Sequence, residues 1–258
     1  MVQPRIGSRL RSRARRQWIA AAAFVGYWVL WELIARAGIF YEGVIPSSIA
    51  ILRALYEIAF DRALYLNTAV TAFEVAVAIL IGCGCGLAFG LLGGAVRTIG
   101  AAYEPYVHYL APTPKIVFLP VLLLCFGVGF GTKIALGALS AFFPMAIATL
   151  AGVRGVDPVL LRVGQSFNLS RLQLAVKIYL PALRAPVLTG LKLGFGFALI
   201  GVLLAEIKLS NAGLGFMAIQ YYNHFEMAEL YALMMIIFLL AGGVNALVDR
   251  LTPRRWGR

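Results

Sequence analysis

The chain has 258 residues, of which 61% are hydrophobic and 13% charged, and it carries a formal net charge of +12. Soluble domains run at about 45–50% apolar and 25% charged residues, so this composition excludes a water-soluble fold, and several apolar runs of about 20 residues leave no length for a separate soluble catalytic domain. The positive charge does not point to nucleic acid, because the basic residues gather at the termini and around 154–184, flanking apolar stretches as cytoplasm-facing segments of membrane proteins do.

The fold class read from this pattern is an all-α integral membrane protein with about six transmembrane helices and a polar, basic loop that is either a solvated connector or a docking surface. Residues 1–17 form a basic segment carrying Arg5, Arg9, Arg11, Arg13, Arg15 and Arg16, and Trp18 opens an apolar run to about residue 40. Ala35-Arg36-Ala37 would suit a signal-peptide cleavage site. The run is longer than a signal h-region, however, and Trp28, Trp31 and Tyr41 stand where interfacial anchors would, so it is taken as the first span. Residues 41–65 are mixed in polarity. Pro46-Ser47-Ser48 opens an amphipathic helix there, with Ser47 or Ser48 as its cap and the outer membrane surface as its place.

A second span covers 67–94, where Gly82, Gly86, Gly90 and Gly94 recur every fourth residue. That spacing keeps them on one face and makes a groove into which another helix can pack closely. Cys83, Cys85 and Cys125 lie in apolar runs and give neither a disulfide framework nor metal-ligand spacing. The third span, 103–126, contains Pro105, Pro112, Pro114 and Pro120, so its backbone is kinked or broken and has to find partners within the protein or a cavity. A tight turn at 127–131 leads to a fourth span at 133–152. The fifth is expected at 186–207 and the sixth at 229–248.

With both termini in the cytoplasm, six spans place Arg97, Arg154, Arg162, Arg171, Lys177, Arg184 and the terminal clusters inside, including Arg250, Arg254, Arg255 and Arg258. Only Arg36, Arg53, Arg62, Lys133 and Lys208 fall outside. The opposite orientation would reverse this bias and is disfavoured. The expected domains are therefore the 1–17 segment and a transmembrane domain at 18–258, with a cytoplasmic loop at about 153–184.

In that loop Asp157-Pro158 reads as a cap followed by proline at the first helical position. Leu160, Leu161, Val163, Phe167, Leu172, Leu174, Val176 and Ile178 give apolar faces to two short helices joined by a turn at 168–170. Asn168, nine residues, then Ile178, Leu180 and Pro181 resemble the second half of the E-A-A-x3-G-x9-I-x-L-P loop of ABC importer permeases. Arg162-Val163-Gly164 replaces Glu-Ala-Ala, and Asn168, which also tolerates a left-handed turn, replaces Gly.

Pro114-Lys115, Leu119-Pro120, Phe126-Gly127-Val128-Gly129, Thr189-Gly190-Leu191-Lys192, Ala205-Glu206 and Gly213-Leu214-Gly215 extend the resemblance over residues 66–250, towards permeases of the nitrate, sulfonate, taurine and bicarbonate importer group. The resemblance implies a homodimer of six-span subunits in the bacterial inner membrane, two ATP-binding subunits docked on the loops and a substrate-binding protein outside. ATP and Mg would be bound by the partner subunits, with no cofactor and no catalytic residue in this chain. Docking is expected at Arg162, Val163, Gly164, Phe167, Asn168, Ser170, Arg171, Ile178, Leu180 and Pro181. The implied substrate is a small anion such as sulfonate, taurine, nitrate or bicarbonate; a heterocyclic nutrient such as a pyrimidine vitamin precursor is the alternative.

Glu74, Lys115, Lys192 and Glu206 lie in or at the ends of apolar runs and are the candidates for the translocation path, since charges there are costly. Lys192 and Glu206 are offset by about 320° and about 21 Å along one helix and share a face. Each could equally pair between helices. Glu74 would repel an anion, and a salt bridge explains it better than a misplaced alignment or a non-anionic substrate. His108 and His224 are too few and too separated for a metal site. Phe216, Tyr221, Tyr222 and Phe225 suit an outer gate, a binding-protein contact or an interfacial belt. A secondary transporter would need repeated broken helices, and an intramembrane enzyme a converging nucleophile, acid and base; neither pattern occurs in the sequence.

Overall fold

The computed structural model describes residues 6–37 and 43–251, and every regular element among them is helical. Tyr41, Arg5 and the carboxy-terminal Arg254, Arg255 and Arg258 lie outside the described residues. The contacts divide the chain into two units, Met1–Asp61 with Tyr221–Met235, and Arg62–Gln220 with Ile236–Arg258.

In the first unit α1 (Ile6–Arg36) runs without interruption, so the basic residues after Ile6 and the apolar run share one helix. Trp31 is anchored by protein as well as by its position: its indole N–H donates to the Pro46 carbonyl at 3.2 Å, and its ring meets Tyr231 edge-on at 5.5 Å. Glu32 accepts from Arg36 at 2.8 Å and from the Ser48 N–H at 3.0 Å. Helix α2 (Ser48–Ala59) starts as the sequence predicts. Ser47 caps it by accepting from the Ala50 N–H, and Ile51, Ala54 and Ile58 bury one face.

The second unit is organised on α3 (Arg62–Ala95), α6 (Phe130–Arg154) and α9 (Leu180–Leu209). The glycine groove of α3 receives α6: Gly82 faces Ala138, Gly86 faces Phe142 and Met145, Gly90 faces Ala146 and Thr149, and Gly94 faces Val153. Val75, Ala78, Cys83, Ala138, Ala141, Met145, Ala198 and Val202 form the core where the three helices meet. A Cβ on Gly86 would stand 2.5 Å from the Phe142 carbonyl oxygen, which belongs to backbone that cannot swing aside. Gly86→Ala is therefore expected to lower stability by about 1–3 kcal/mol. Thermal unfolding in detergent reads this, and an unchanged midpoint would contradict the packing.

The third span is broken, as its prolines require. Helix α4 (Arg97–Leu110) ends before Pro112 and Pro114, a 3₁₀ turn follows at Lys115–Phe118, and α5 (Leu119–Phe126) leaves at 99° to α4. Pro105 is tolerated inside α4 and Pro144 inside α6, each removing one ladder donor. Gly127 and Gly129, at φ +71° and +155°, turn the chain into α6.

After α6 come α7 (Pro158–Ser166), α8 (Arg171–Leu174) and a π turn at Ala175–Tyr179 that runs directly into α9. The expectation of two separate short helices and a fifth span beginning at 186 is thus corrected. The second loop helix is the leading end of the span helix. Pro181 has no N–H to return to the carbonyl one turn back, and the wider π turn just before it carries the helix through; Pro186 lies in the helix interior. Helices α10 (Leu214–Asn223) and α11 (Met227–Leu251) complete the chain. Among the described residues five helices are long and apolar enough to cross a membrane, or six if α4 and α5 form one broken span, so the chain is a multi-pass all-α membrane protein.

Candidate functional site

The α4–α5 break opens onto a cavity of about 650 Å³ in the second unit. Its walls are the break itself from Ala111 to Ile116, Leu136, Ser140, Phe143, Pro144, Ile147 and Ala148 of α6, and Leu193, Phe197, Ile200, Gly201 and Leu204 of α9. Lys115 is the charged residue in that lining. Its ammonium donates to the carbonyls of Leu110, Ala111 and Thr113 at 2.9, 2.8 and 2.6 Å and sits 4.6 Å from the centre of the Phe143 ring. Carbonyls at and just past the end of α4 thus gain a donor from this cation, with Leu110 also accepting from the Thr113 N–H, and the charge suits the negative end of the helix dipole. Ser140 spends its hydroxyl proton on the Leu136 carbonyl at 2.7 Å. The site is thus an apolar chamber with one cation, whose charge faces it while its protons hold the wall.

Glu74, Glu206 and Lys133 are 0%, 0% and 4% exposed and stand together away from the cavity lining. Glu74 is ion-paired with Lys133, the salt bridge its buried position calls for. Lys133, expected on the outer side of the membrane, is no free surface charge: its ammonium is buried beside Glu74 and 3.0 Å from the Ser210 hydroxyl. Glu206 accepts from the Thr71 hydroxyl and from the Gly215 N–H, both at 2.7 Å, and its carboxyl also interacts with that of Glu74. Asn67, Thr71 and Glu74 share one face of α3 because four and three residues separate them. Asn67 accepts from the Gly213 N–H at 2.6 Å and Thr71 from the Leu214 N–H at 2.8 Å.

Lys192 pairs with Asp249 of α11 and does not line the cavity. Arg154 pairs with Glu104 at 2.6 Å, and His108 lies 3.8 Å from the same carboxylate. Of the aromatic group, Phe216 and Tyr221 are half-buried, while Tyr222 and Phe225 are largely exposed.

In the loop, Asp157 caps α7 by accepting from the Val159 N–H at 2.7 Å. Asn168 has φ +50°, and the Leu169 N–H reaches back to the Gly164 carbonyl at 3.0 Å, so α7 ends in the left-handed turn that its sequence predicts. Arg162, Val163, Phe167, Asn168, Ser170, Leu180 and Pro181 are exposed. Gly164 is buried, and a side chain there would collide with Leu174 and Ile178, so these positions pack the loop against itself. Arg171 opens α8; its side chain is outside what the structure describes.

Sequence reasoning missed Lys133 and Asp249 as pairing partners and Ser140, Phe143 and Phe197 as cavity walls. The wall of α9 did have a signal, since 193, 197, 200, 201 and 204 follow the i, i+4, i+7, i+8, i+11 rhythm of one face.

A multi-pass helical chain with a broken span and a cavity walled by its second unit suits the class of membrane transport proteins. Residues 86–255 match the family described as binding-protein-dependent transport system inner membrane component, and the chain belongs to that family. It is 30% identical to the putative aliphatic sulfonates transport permease protein SsuC of Bacillus subtilis, over 88% of this chain and 82% of that one. It is also 30% identical to the taurine transport system permease protein TauC of Escherichia coli, over 87% and 85%, and 25% identical to the nitrate import permease protein NrtB of Leptolyngbya laminosa, over 96% and 91%. The chain is accordingly a permease subunit of an ABC importer, a translocation subunit rather than an enzyme.

Proposed function

We propose that this permease carries a small organic or inorganic anion, of the kind named for its relatives, through the cavity at the α4–α5 break. The carrying observation is the Lys115 ammonium set in an otherwise apolar wall of Phe143, Phe197, Leu193 and Ile200. Such a chamber favours one negative head and tolerates an apolar body. Glu74 does not oppose this, because it is absent from the lining and paired with Lys133.

The exposed positions of the 157–181 loop dock the ATP-hydrolysing subunits, which bind ATP and Mg, while a substrate-binding protein delivers the anion from the opposite side and a second copy of the chain completes the path. Both termini and this loop are cytoplasmic. Cysteines placed at Ser170 and Asn211, both exposed, should then react with an impermeant reagent from opposite faces of the membrane; labelling of Ser170→Cys from outside intact cells would reverse the orientation.

Docking depends on the turn that ends α7. Asn168→Val puts a β-branched residue at a left-handed position, at a cost of about 1–3 kcal/mol. It is expected to leave insertion intact while weakening co-purification of the ATPase and its substrate-stimulated ATP hydrolysis. Asn168→Gly relieves the conformation and should bind at least as well as the parent. If Val equals Asn in both assays, this loop does not couple the subunits.

A further inference from the structure

Four consecutive backbone amides at the start of α10 are held by side chains. The Ala212 N–H donates to the Ser210 hydroxyl at 3.1 Å, Gly213 to Asn67, Leu214 to Thr71 and Gly215 to Glu206. The N–H groups that a helix start leaves open are thus satisfied mainly by α3 and α9, with the Glu206 carboxylate at the positive end of the helix dipole. Lys133 joins α6 to the same loop through Ser210. Next to Glu206 and Ser210 in the chain, Ala205 and Leu209 belong to an apolar cluster with Leu119, Leu136, Ile116 and Leu122. Leu136 and Ile116 belong both to this cluster and to the cavity lining.

We propose that Glu206, with Asn67, Thr71 and Lys133, is a latch that holds the 210–215 loop beside this apolar cluster, and that it releases the loop when the substrate path opens at this end. Glu206 is a positioning residue for transport, not a contact of the substrate. The charges are the reason for preferring a latch to a static cap. Neutral Asn and Thr side chains already satisfy two of the four amides, and burying a Glu–Lys ion pair with a second carboxyl beside it gains little stability over apolar packing. Charged groups regain hydration when water enters, whereas an apolar seal exposed on opening gains none. A closure made of them is therefore tight while dry and inexpensive to undo once wet. Gly213, at φ +110° and pressed against the Glu206 carboxylate, lets the loop backbone approach this closely.

The latch rests on the importer reading, so its test uses the full chain assembled with its ATPase and substrate-binding partners in lipid nanodiscs. Hydrogen exchange of residues 212–215 is expected to be slow without nucleotide and at least tenfold faster when ATP and loaded binding protein are present. Glu206→Ala should exchange fast in both states and raise the ATP consumed per substrate moved at least fivefold. Glu206→Gln, which keeps an acceptor for the Gly215 N–H, should fall nearer the parent in both measurements. Asn67→Ala, at a half-buried position on the edge of the network, serves the same comparison if Glu206→Ala does not assemble. A parent chain that binds no ATPase overturns the importer reading and the latch with it. An assembled, hydrolysing complex whose 212–215 amides are equally protected in both states overturns the latch alone, as does a loosened loop with an unchanged ATP-to-substrate ratio.

Discussion

Lys133→Met is expected to destabilise the folded chain by about 3–5 kcal/mol, the cost of leaving a buried carboxylate without its cation. Glu74 is wholly buried, its ion-pair partner is Lys133, and the acidic group beside it, Glu206, brings no second cation. Methionine keeps most of the lysine volume, so loss of packing contributes little and the effect isolates charge. The double variant Lys133→Met with Glu74→Gln should recover most of the loss, because it removes both charges instead of stranding one. Thermal unfolding of the purified chain in detergent, run on both singles and the double, measures the coupling. A Lys133→Met protein as stable as the parent would mean that the pair does not hold α3 to α6.

What the sequence made legible is what local chemistry dictates. Four prolines required the third span to break, and the break lies at Pro112 and Pro114, where two prolines fall within three residues. The glycine repeat of α3 predicted a groove because one face of a helix is a local property, and α6 fills it. Asn168 and Asp157 announced the turn and cap of α7 by residue type alone. The pairs were less accessible: Glu74 meets a lysine 59 positions away and Lys192 an aspartate 57 positions away, and no local pattern encodes either meeting. Glu74 could be said to need a cation, since a lone buried carboxylate is untenable, but which cation depends on how α3 lies on α6. The start of the fifth span was misplaced because proline suits a first helical turn and is also tolerated inside a long membrane helix, and the π turn that resolves the ambiguity leaves no mark in composition. Lys115 was legible as a costly charge but not as a cap, because the carbonyls it serves exist only once α4 has ended.

That double role governs the effect of Lys115→Met, expected to reduce transport at least tenfold while costing about 1–3 kcal/mol of stability. Removing the ammonium strips a donor from the carbonyls of Leu110, Ala111 and Thr113, of which Leu110 keeps the Thr113 N–H. Water entering the cavity can take over some of those bonds, which keeps the stability loss below that of Lys133→Met, whose carboxylate partner is wholly buried. Water cannot replace the positive charge in an apolar wall, so the loss of anion transport is the larger effect. Leu193→Ala, which enlarges the same chamber without touching its charge, separates the two contributions and should leave transport within a few-fold of the parent. Uptake of a labelled anion into proteoliposomes containing the assembled importer, measured beside the unfolding midpoint, gives both quantities for each variant. If Lys115→Met transports as well as the parent, the cation serves only to close the broken helix and the substrate is not selected by its charge at this site. If both variants lose transport equally, the shape of the chamber rather than its ammonium sets the rate.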